Sequence, residues 1–271
     1  MENIGAVILS AGYSRRQKND FKPLLPLGDK TVLEHCLHLF KDKGVLEIVV
    51  VLGYRAEELL ALVQAYQAKP VINPCFDQGM FSSVQAGVAA LSTSCKAFFL
   101  LPVDIPLVRS LTLDYLLQSL KQKKDADALI PAFKGQTGHP PLIRDNLLQK
   151  IAKHDGSLGL RGVLKNSETI NVQVPDRHIL LDIDTPDQYR QALKLMKGRS
   201  LPTQEEAEIL ISLECQEKVV AHCRKVAQVA QDLAKAVNAA SKNQVNTELV
   251  VAGALLHDIA KGQPGHAIAG A

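Results

Sequence analysis

No single sign of charge dominates this chain. Its 31 Lys and Arg stand against 28 Asp and Glu, a formal net charge of +3 over 271 residues. Nucleic-acid binders usually carry a basic patch or stripe, and the dense basic runs here, at 15–18 and 121–124, are short. The second lies in an amphipathic segment and reads as a solvated face, so nucleic acid is not expected as a partner. Cysteine is sparse as well. The five (Cys36, Cys75, Cys95, Cys215, Cys223) are odd in number and form no CxxC pair, which argues against a secreted disulfide scaffold or a zinc knuckle. Long apolar runs are missing. Residues 4–9 are too few for a signal-peptide core or a membrane span and lead into an Ala-Gly turn. The expectation is a soluble, cytoplasmic chain with no membrane partner. At 46% hydrophobic residues and a mean hydropathy of +0.03 it is too apolar for disorder.

The first two hundred residues alternate between two textures. Short continuous apolar runs at 4–9, 47–52, 97–101 and 127–131, bounded by turn residues, read as strands buried on both faces. Helical periods fill 31–43, 56–66 and 82–91. This order predicts an α/β fold, a doubly wound, mostly parallel sheet whose ligands bind beyond the carboxyl ends of the strands. Near residue 198 the texture changes. A turn-rich break, Gly198 to Pro202, precedes Thr203 and Glu206, spaced as a capping box. Helical patterns then fill 205–213, 214–237 and 247–260. The expected domains are 1–198 and a small all-α segment, 203–271.

The strand at 4–9 runs into Ala11-Gly12, followed by Arg15, Arg16 and Lys22. Small residues that let backbone amides approach a ligand, with Arg and Lys beside them, suit phosphate binding. The stretch contains neither a Walker loop nor a dinucleotide fingerprint. Asp104 directly follows an apolar run, and Asp182 and Asp184 end another. Carboxylates arriving from two strand ends suit Mg²⁺, which keeps water and phosphate oxygens as its other ligands. Taken alone, Asp184-Thr185-Pro186 reads better as a helix N-cap; beside the other two pieces, the metal reading is stronger. His35, His38, His154 and His178 read as surface or packing residues.

These residues carry a resemblance. In order, LSAGYSRR (9–16), KPLL (22–25), NPCFDQGMFSSV (73–84), LPVDIPLV (101–108), TGHPPLI (137–143) and DIDTP (182–186) resemble the MobA-like nucleotidyltransferases over about residues 3–197, within them the molybdenum-cofactor cytidylyltransferase branch. The resemblance implies transfer of a nucleoside monophosphate from an NTP to the phosphate of a pterin cofactor, molybdopterin, with release of pyrophosphate. It implies that the Ala11 and Gly12 backbone meets the nucleotide, Arg16 and Lys22 its phosphates, and Gly79 and Ser82 the nucleoside. Asp104 and Asp184 would hold Mg²⁺, and His139 and Pro140 would line the acceptor side. In this family an Ala-Gly pair tends to accompany cytosine, so CTP is the expected nucleotide. The chain departs from the pattern at Gln17, where methionine is usual, and at Ser10, where alanine is common. The alternatives are another sugar- or small-molecule-phosphate nucleotidylyltransferase and a non-catalytic nucleotide sensor.

The tail carries a second pattern, His222 and then LLHDIAKG at 255–262. An adjacent His-Asp pair with a distant His on another helix offers three ligands to one cation. It resembles the HD-domain phosphohydrolases, which implies His222, His257 and Asp258 as ligands of a divalent metal, with Lys261 and His266 nearby. The last aspartate of that pattern would lie beyond residue 271. The expectation is therefore a partial site without hydrolytic activity, as a fragment of a longer fusion protein or a degenerate module serving as an interface; a helical appendage with no chemistry is the other reading.

Overall fold

A computed structural model describes residues 3–13, 21–242 and 244–261. They fall into two compact units, Met1–Lys197 and Gly198–Ala271. In chain order the first unit holds β1 (Ile4–Ser10), β2 (Pro26–Leu27), β3 (Lys30–Thr31), α1 (Val32–Asp42), β4 (Glu47–Leu52), α2 (Glu57–Ala65), β5 (Lys69–Ile72), α3 (Met80–Ala89), β6 (Ala97–Pro102) and α4 (Ser110–Gln122). There follow β7 (Ala128–Phe133), β8 (Gln136–Thr137), β9 (Leu142–Arg144), α5 (Leu148–Lys153), α6 (Leu160–Leu164), β10 (Thr169–Gln173) and α7 (Pro186–Lys197). The second unit is α8 (Gln204–Glu214), α9 (Glu217–Ala240) and α10 (Thr247–Leu256).

The main sheet has eight strands in the order β10-β7-β9-β6-β1-β4-β5, with β8 paired to β7. Strand β1 is central and parallel to both neighbours, Val7 lying opposite Val49 of β4 and Leu100 of β6. Such strands lose solvent on both faces, which is why 47–52 reads EIVVVL without alternation. One face packs Val7, Leu9, Val49 and Val51 against Phe81, Val84 and Val88 of α3. On the other, Phe40 of α1 meets Phe99 of β6 with ring centroids 5.6 Å apart. The chain leaves β1 towards β4 and β5 and returns on the far side at β6, which places the topological switch point between β1 and β6.

Four strands of the main sheet depart from the apolar-run pattern. β9 runs antiparallel between β6 and β7. It follows β8, itself antiparallel to β7 across the tight turn Lys134-Gly135. β5 and β10 are edge strands with half-exposed residues, so no continuous apolar run marks them. Thr203 and Glu206 form the reciprocal capping box that opens α8. The second unit packs Ala207, Ile211, Val220, Cys223, Val251 and Leu255 into one small core. All five cysteines are free.

After β10 the chain is pinned by one buried carboxylate. Asp176 Oδ2 accepts from the Arg109 amide and the Thr112 hydroxyl, both at 2.8 Å. Its Oδ1 takes the His178 amide at 3.0 Å and His178 Nδ1 at 2.9 Å. His178 is thus a packing residue, with a partner two positions away. Burial pushes the Asp176 pKa up, but the His178 hydrogen bond and charge, with the Arg109 and Thr112 donors, outweigh it and hold the carboxyl below its ordinary value. A depressed carboxyl pKa contributes stability that is present at neutral pH and lost as pH falls below about 4. Asp176→Asn is expected to lower unfolding free energy by about 2–4 kcal/mol at pH 7. In urea titrations at a series of pH values, that difference should shrink as pH falls through the carboxylate range.

Candidate active site

The carboxyl ends of β1 and β6 open onto a cleft lined by Leu9 to Gly12, Lys22, Pro23, Phe76, Met80, Ser83 and Pro102 to Asp104. Lys22 sits on a single tight turn, Lys22–Leu24, which Pro23 favours by its fixed φ. The next residue is tied to the start of α1 by Val32 N–H donating to Leu25 O at 3.0 Å. The lysine is nearly fully buried, and a buried ammonium needs carboxylate partners. Its Nζ lies 2.7 Å from Asp184 Oδ1 and 3.5 Å from Asp104 Oδ2.

Asp104 arrives as expected, two residues beyond β6. Asp184 does not arrive from a strand end. The segment before it is a short turn, Arg177–Leu180, and then extended chain. The Ile183 amide donates to Asp104 O at 2.8 Å, which sets one carboxylate beside the other across 80 residues of sequence. The capping role expected of this stretch falls to Thr185. Its Oγ1 accepts from Gln188 N at 3.3 Å while Gln188 Oε1 takes the amides of Asp184 and Thr185 at 3.0 and 2.8 Å. Asp182 accepts from Gln188 Nε2. Asp184 is therefore directed to Lys22, and Asp182 to the helix start.

Burial raises the Asp104 pKa; Lys22 opposes this, while the Asp184 and Asp182 carboxylates add to it, and the net shift is upward. Two carboxylates converging on one buried ammonium form a site that a hard divalent cation and a polyphosphate could share.

The opposite wall is built by residues 73–83. Buried Asn73 donates through Nδ2 to Ser82 Oγ at 2.9 Å and Ser83 Oγ at 3.0 Å, and its Oδ1 accepts from Cys75 N at 2.9 Å. Ser82 Oγ also contacts the carbonyls of Cys75 and Gly79 at 2.8 and 2.9 Å, so it shapes the turn, while Ser83 lines the cleft. Gly79, at φ 104° and ψ 169°, occupies backbone space that a side chain disfavours.

Arg16 falls outside the described residues, as do Arg15, Gln17 and His266. His139 and Pro140, joined by a cis peptide bond, connect β8 to β9 and are not among the cleft-lining residues. Burial keeps the His139 pKa low, and its Nδ1 is buried without a hydrogen-bond partner. Ser10 Oγ is also buried and unpartnered, at the cleft floor.

In the second unit, donor atoms of His222, His257 and Asp258 lie within 4.8 Å of one another. Asp258 Oδ2 is 3.7 Å from His222 Nε2 and 3.6 Å from His257 Nε2. His257 Nδ1 lies 2.8 Å from Ala254 O; donation there leaves the Nε2 lone pair facing the aspartate. The Lys261 hydrogen bond at 2.6 Å holds the Asp258 carboxyl below its ordinary range.

A family model described as the MobA-like NTP transferase domain matches residues 6–172. The chain belongs to this family. A MobA-like NTP transferase fold therefore occupies the first unit, and an HD domain model matches residues 219–271 in the second. The MobA-like region is 30% identical over 194 residues to a molybdenum cofactor cytidylyltransferase of Escherichia coli K12, covering 70% of this chain and 95% of that one. It is 28% identical over 197 residues to a nicotine blue oxidoreductase of Paenarthrobacter nicotinovorans, covering 70% and 96%. Among solved structures, Rv0371c of Mycobacterium tuberculosis in complex with manganese is similar at a TM-score of 0.57 and 23% identity, covering 71% and 98%. The chain is a nucleotidyltransferase of the MobA-like class.

Phe76, Met80 and Ser83 line the MobA-like cleft, and Asn73, the first residue of the stretch 73–84, organises its wall, roles that the sequence alone does not assign. A polar residue beginning a Gly- and Ser-rich turn after a strand was the available signal. Asn73→Ala leaves two serine hydroxyls and the Cys75 amide short of a partner. The expected cost is about 1–3 kcal/mol, read by thermal or urea unfolding.

Proposed function

We propose that this chain transfers CMP from CTP to the phosphate of molybdopterin, releasing pyrophosphate. The observation that carries this reading is the buried Lys22 ammonium shared by Asp104 and Asp184 at the switch point between β1 and β6. The Escherichia coli relative named as a cytidylyltransferase, matched over nearly its full length, supports the base and the acceptor. The Ala11-Gly12 pair supports CTP over GTP. An oxygen of the acceptor phosphate forms the new bond to the α-phosphorus. The bond from that phosphorus to the bridging oxygen breaks, and pyrophosphate leaves with the electron pair. No covalent enzyme intermediate is required. Lys22 neutralises phosphate charge, and the backbone of Ala11 and Gly12 positions the nucleotide.

The paired carboxylates fit a hard cation, as does the manganese named for the mycobacterial neighbour. Asp104 and Asp184 would hold Mg²⁺, which when bound offsets charge on the triphosphate. In the second unit, His222, His257 and Asp258 would present three ligands to a further divalent metal; hydrolysis there is not part of the proposal.

Pyrophosphate release from CTP, GTP and ATP, with and without molybdopterin, tests the reading. Release that needs both CTP and the pterin is expected, and a clear GTP preference overturns the base assignment. Asp104→Ala should lower kcat by about 100-fold or more, the scale of losing a preorganised electrostatic group. Because the Asp104 pKa is raised, the carboxyl keeps its proton to higher pH than an ordinary aspartate and must release it to hold a cation. Mg²⁺ affinity, measured by calorimetry, should therefore weaken on acidification while still above the usual carboxylate range. Asp104→Asn should flatten that dependence.

A further inference from the structure

The chain has no tryptophan, seven phenylalanines and five tyrosines. Four of these few rings, Tyr13, Phe21, Tyr54 and Phe76, gather at the carboxyl edge of β1 and β4. Tyr13 lies 5.0 Å from Phe76 and 5.2 Å from Tyr54, centroid to centroid, and Phe21 lies 6.1 Å from Tyr54. Tyr13 and Tyr54 are 36% and 38% exposed, more than any other phenylalanine or tyrosine. The cluster continues the cleft, since Phe76 lines it beside Ala11 and Gly12.

Its placement is enforced by backbone. The Tyr54 amide donates to Ala11 O at 3.1 Å, joining the β4 loop to the loop after β1. A Cβ on Gly53 would come within 2.7 Å of Phe76 and 2.8 Å of Ala11 O, so only glycine lets the two loops close on the ring. Arg55 adopts a left-handed φ of 53°, a conformation a non-glycine residue holds only when its surroundings demand it. Its guanidinium lies 4.7 Å from the Phe21 ring centroid and pairs with Glu58 through Nη2 at 2.6 Å.

We propose that Tyr13, Tyr54 and Phe76 form the platform on which the nucleobase of the bound NTP stacks, which makes Tyr13 and Tyr54 affinity-determining residues. The proposal rests on reading the cleft as the nucleotide site. A partly exposed aromatic cluster adjoining a phosphate-and-cation pocket matches the two halves of a nucleotide, a planar ring and a polyphosphate. Stacking on aromatic faces tolerates any base, so the platform adds affinity while the choice of base is left to polar groups elsewhere.

Calorimetry on the full chain with Mg²⁺ and no acceptor tests this, using CTP, inorganic tripolyphosphate and pterin-6-carboxylate as separate probes. The double variant Tyr13→Ser, Tyr54→Ser should bind CTP about 5- to 150-fold more weakly, the range for losing base–aromatic stacking, and tripolyphosphate unchanged. Tyr13→Phe with Tyr54→Phe keeps the rings and should bind CTP within about 2-fold of wild type; a large loss there overturns stacking in favour of the hydroxyls. Unchanged CTP binding in the Ser variant, or equal weakening of CTP and tripolyphosphate, overturns the proposal. Loss of pterin binding with CTP unaffected overturns it in favour of the acceptor ring. If wild type binds tripolyphosphate and CTP equally, the platform fails; if it binds neither, the nucleotide reading itself fails.

Discussion

Parallel pairing of β1 with both β4 and β6 is the constraint on which the first unit depends. A strand hydrogen-bonded on both edges and covered on both faces has nowhere to place a polar side chain until it ends. Its contribution to the cleft is thus confined to its last two residues and the two that follow, Leu9 to Gly12. Because the neighbouring strands run the same way, their ends open at the same edge, delivering Asp104 from β6 and the Tyr54 loop from β4. The reversal of winding between β1 and β6 leaves a gap in the helical cover, and the cleft occupies it.

Within that cleft the electrostatics are mutual. Lys22 is buried at a cost that its two carboxylate neighbours offset, and each carboxylate tolerates the other only because the ammonium lies between them. The raised pKa of Asp104 records that the compensation is incomplete. A site with negative charge in excess and an ammonium already in place suits a ligand that carries both a cation and phosphate oxygens. The relatives include a cytidylyltransferase and an oxidoreductase, and a fold does not by itself fix the reaction.

The second unit follows a simpler logic. Three helices bury a narrow stripe of small and aliphatic residues with Cys223, and spacing along α9 with the turn after α10 puts His222 opposite His257 and Asp258. Val229, Leu233 and Val237 of α9 remain exposed, at every fourth position along one helical face.

Sequence by itself determined the elements whose signal is local. Continuous apolar runs marked β1, β4, β6 and β7 because parallel strands are buried on both faces, and the Thr203–Glu206 spacing marked a helix start because the capping box is made within four residues. Asp104 was legible for the same reason, standing just past such a run. Tertiary structure alone decided the rest. Strand β9 is short and antiparallel, and β5 and β10 lie at edges, so none has a periodicity of its own. Taken alone, Asp184 reads as a helix cap, and it is the Ile183–Asp104 backbone bond and the Thr185 cap that assign it to Lys22. The partners of Asn73, and the meeting of Tyr13, Tyr54 and Phe76, join residues brought together only by the sheet. Contacts across tens of residues depend on strand order, and no local pattern in the sequence encodes that order.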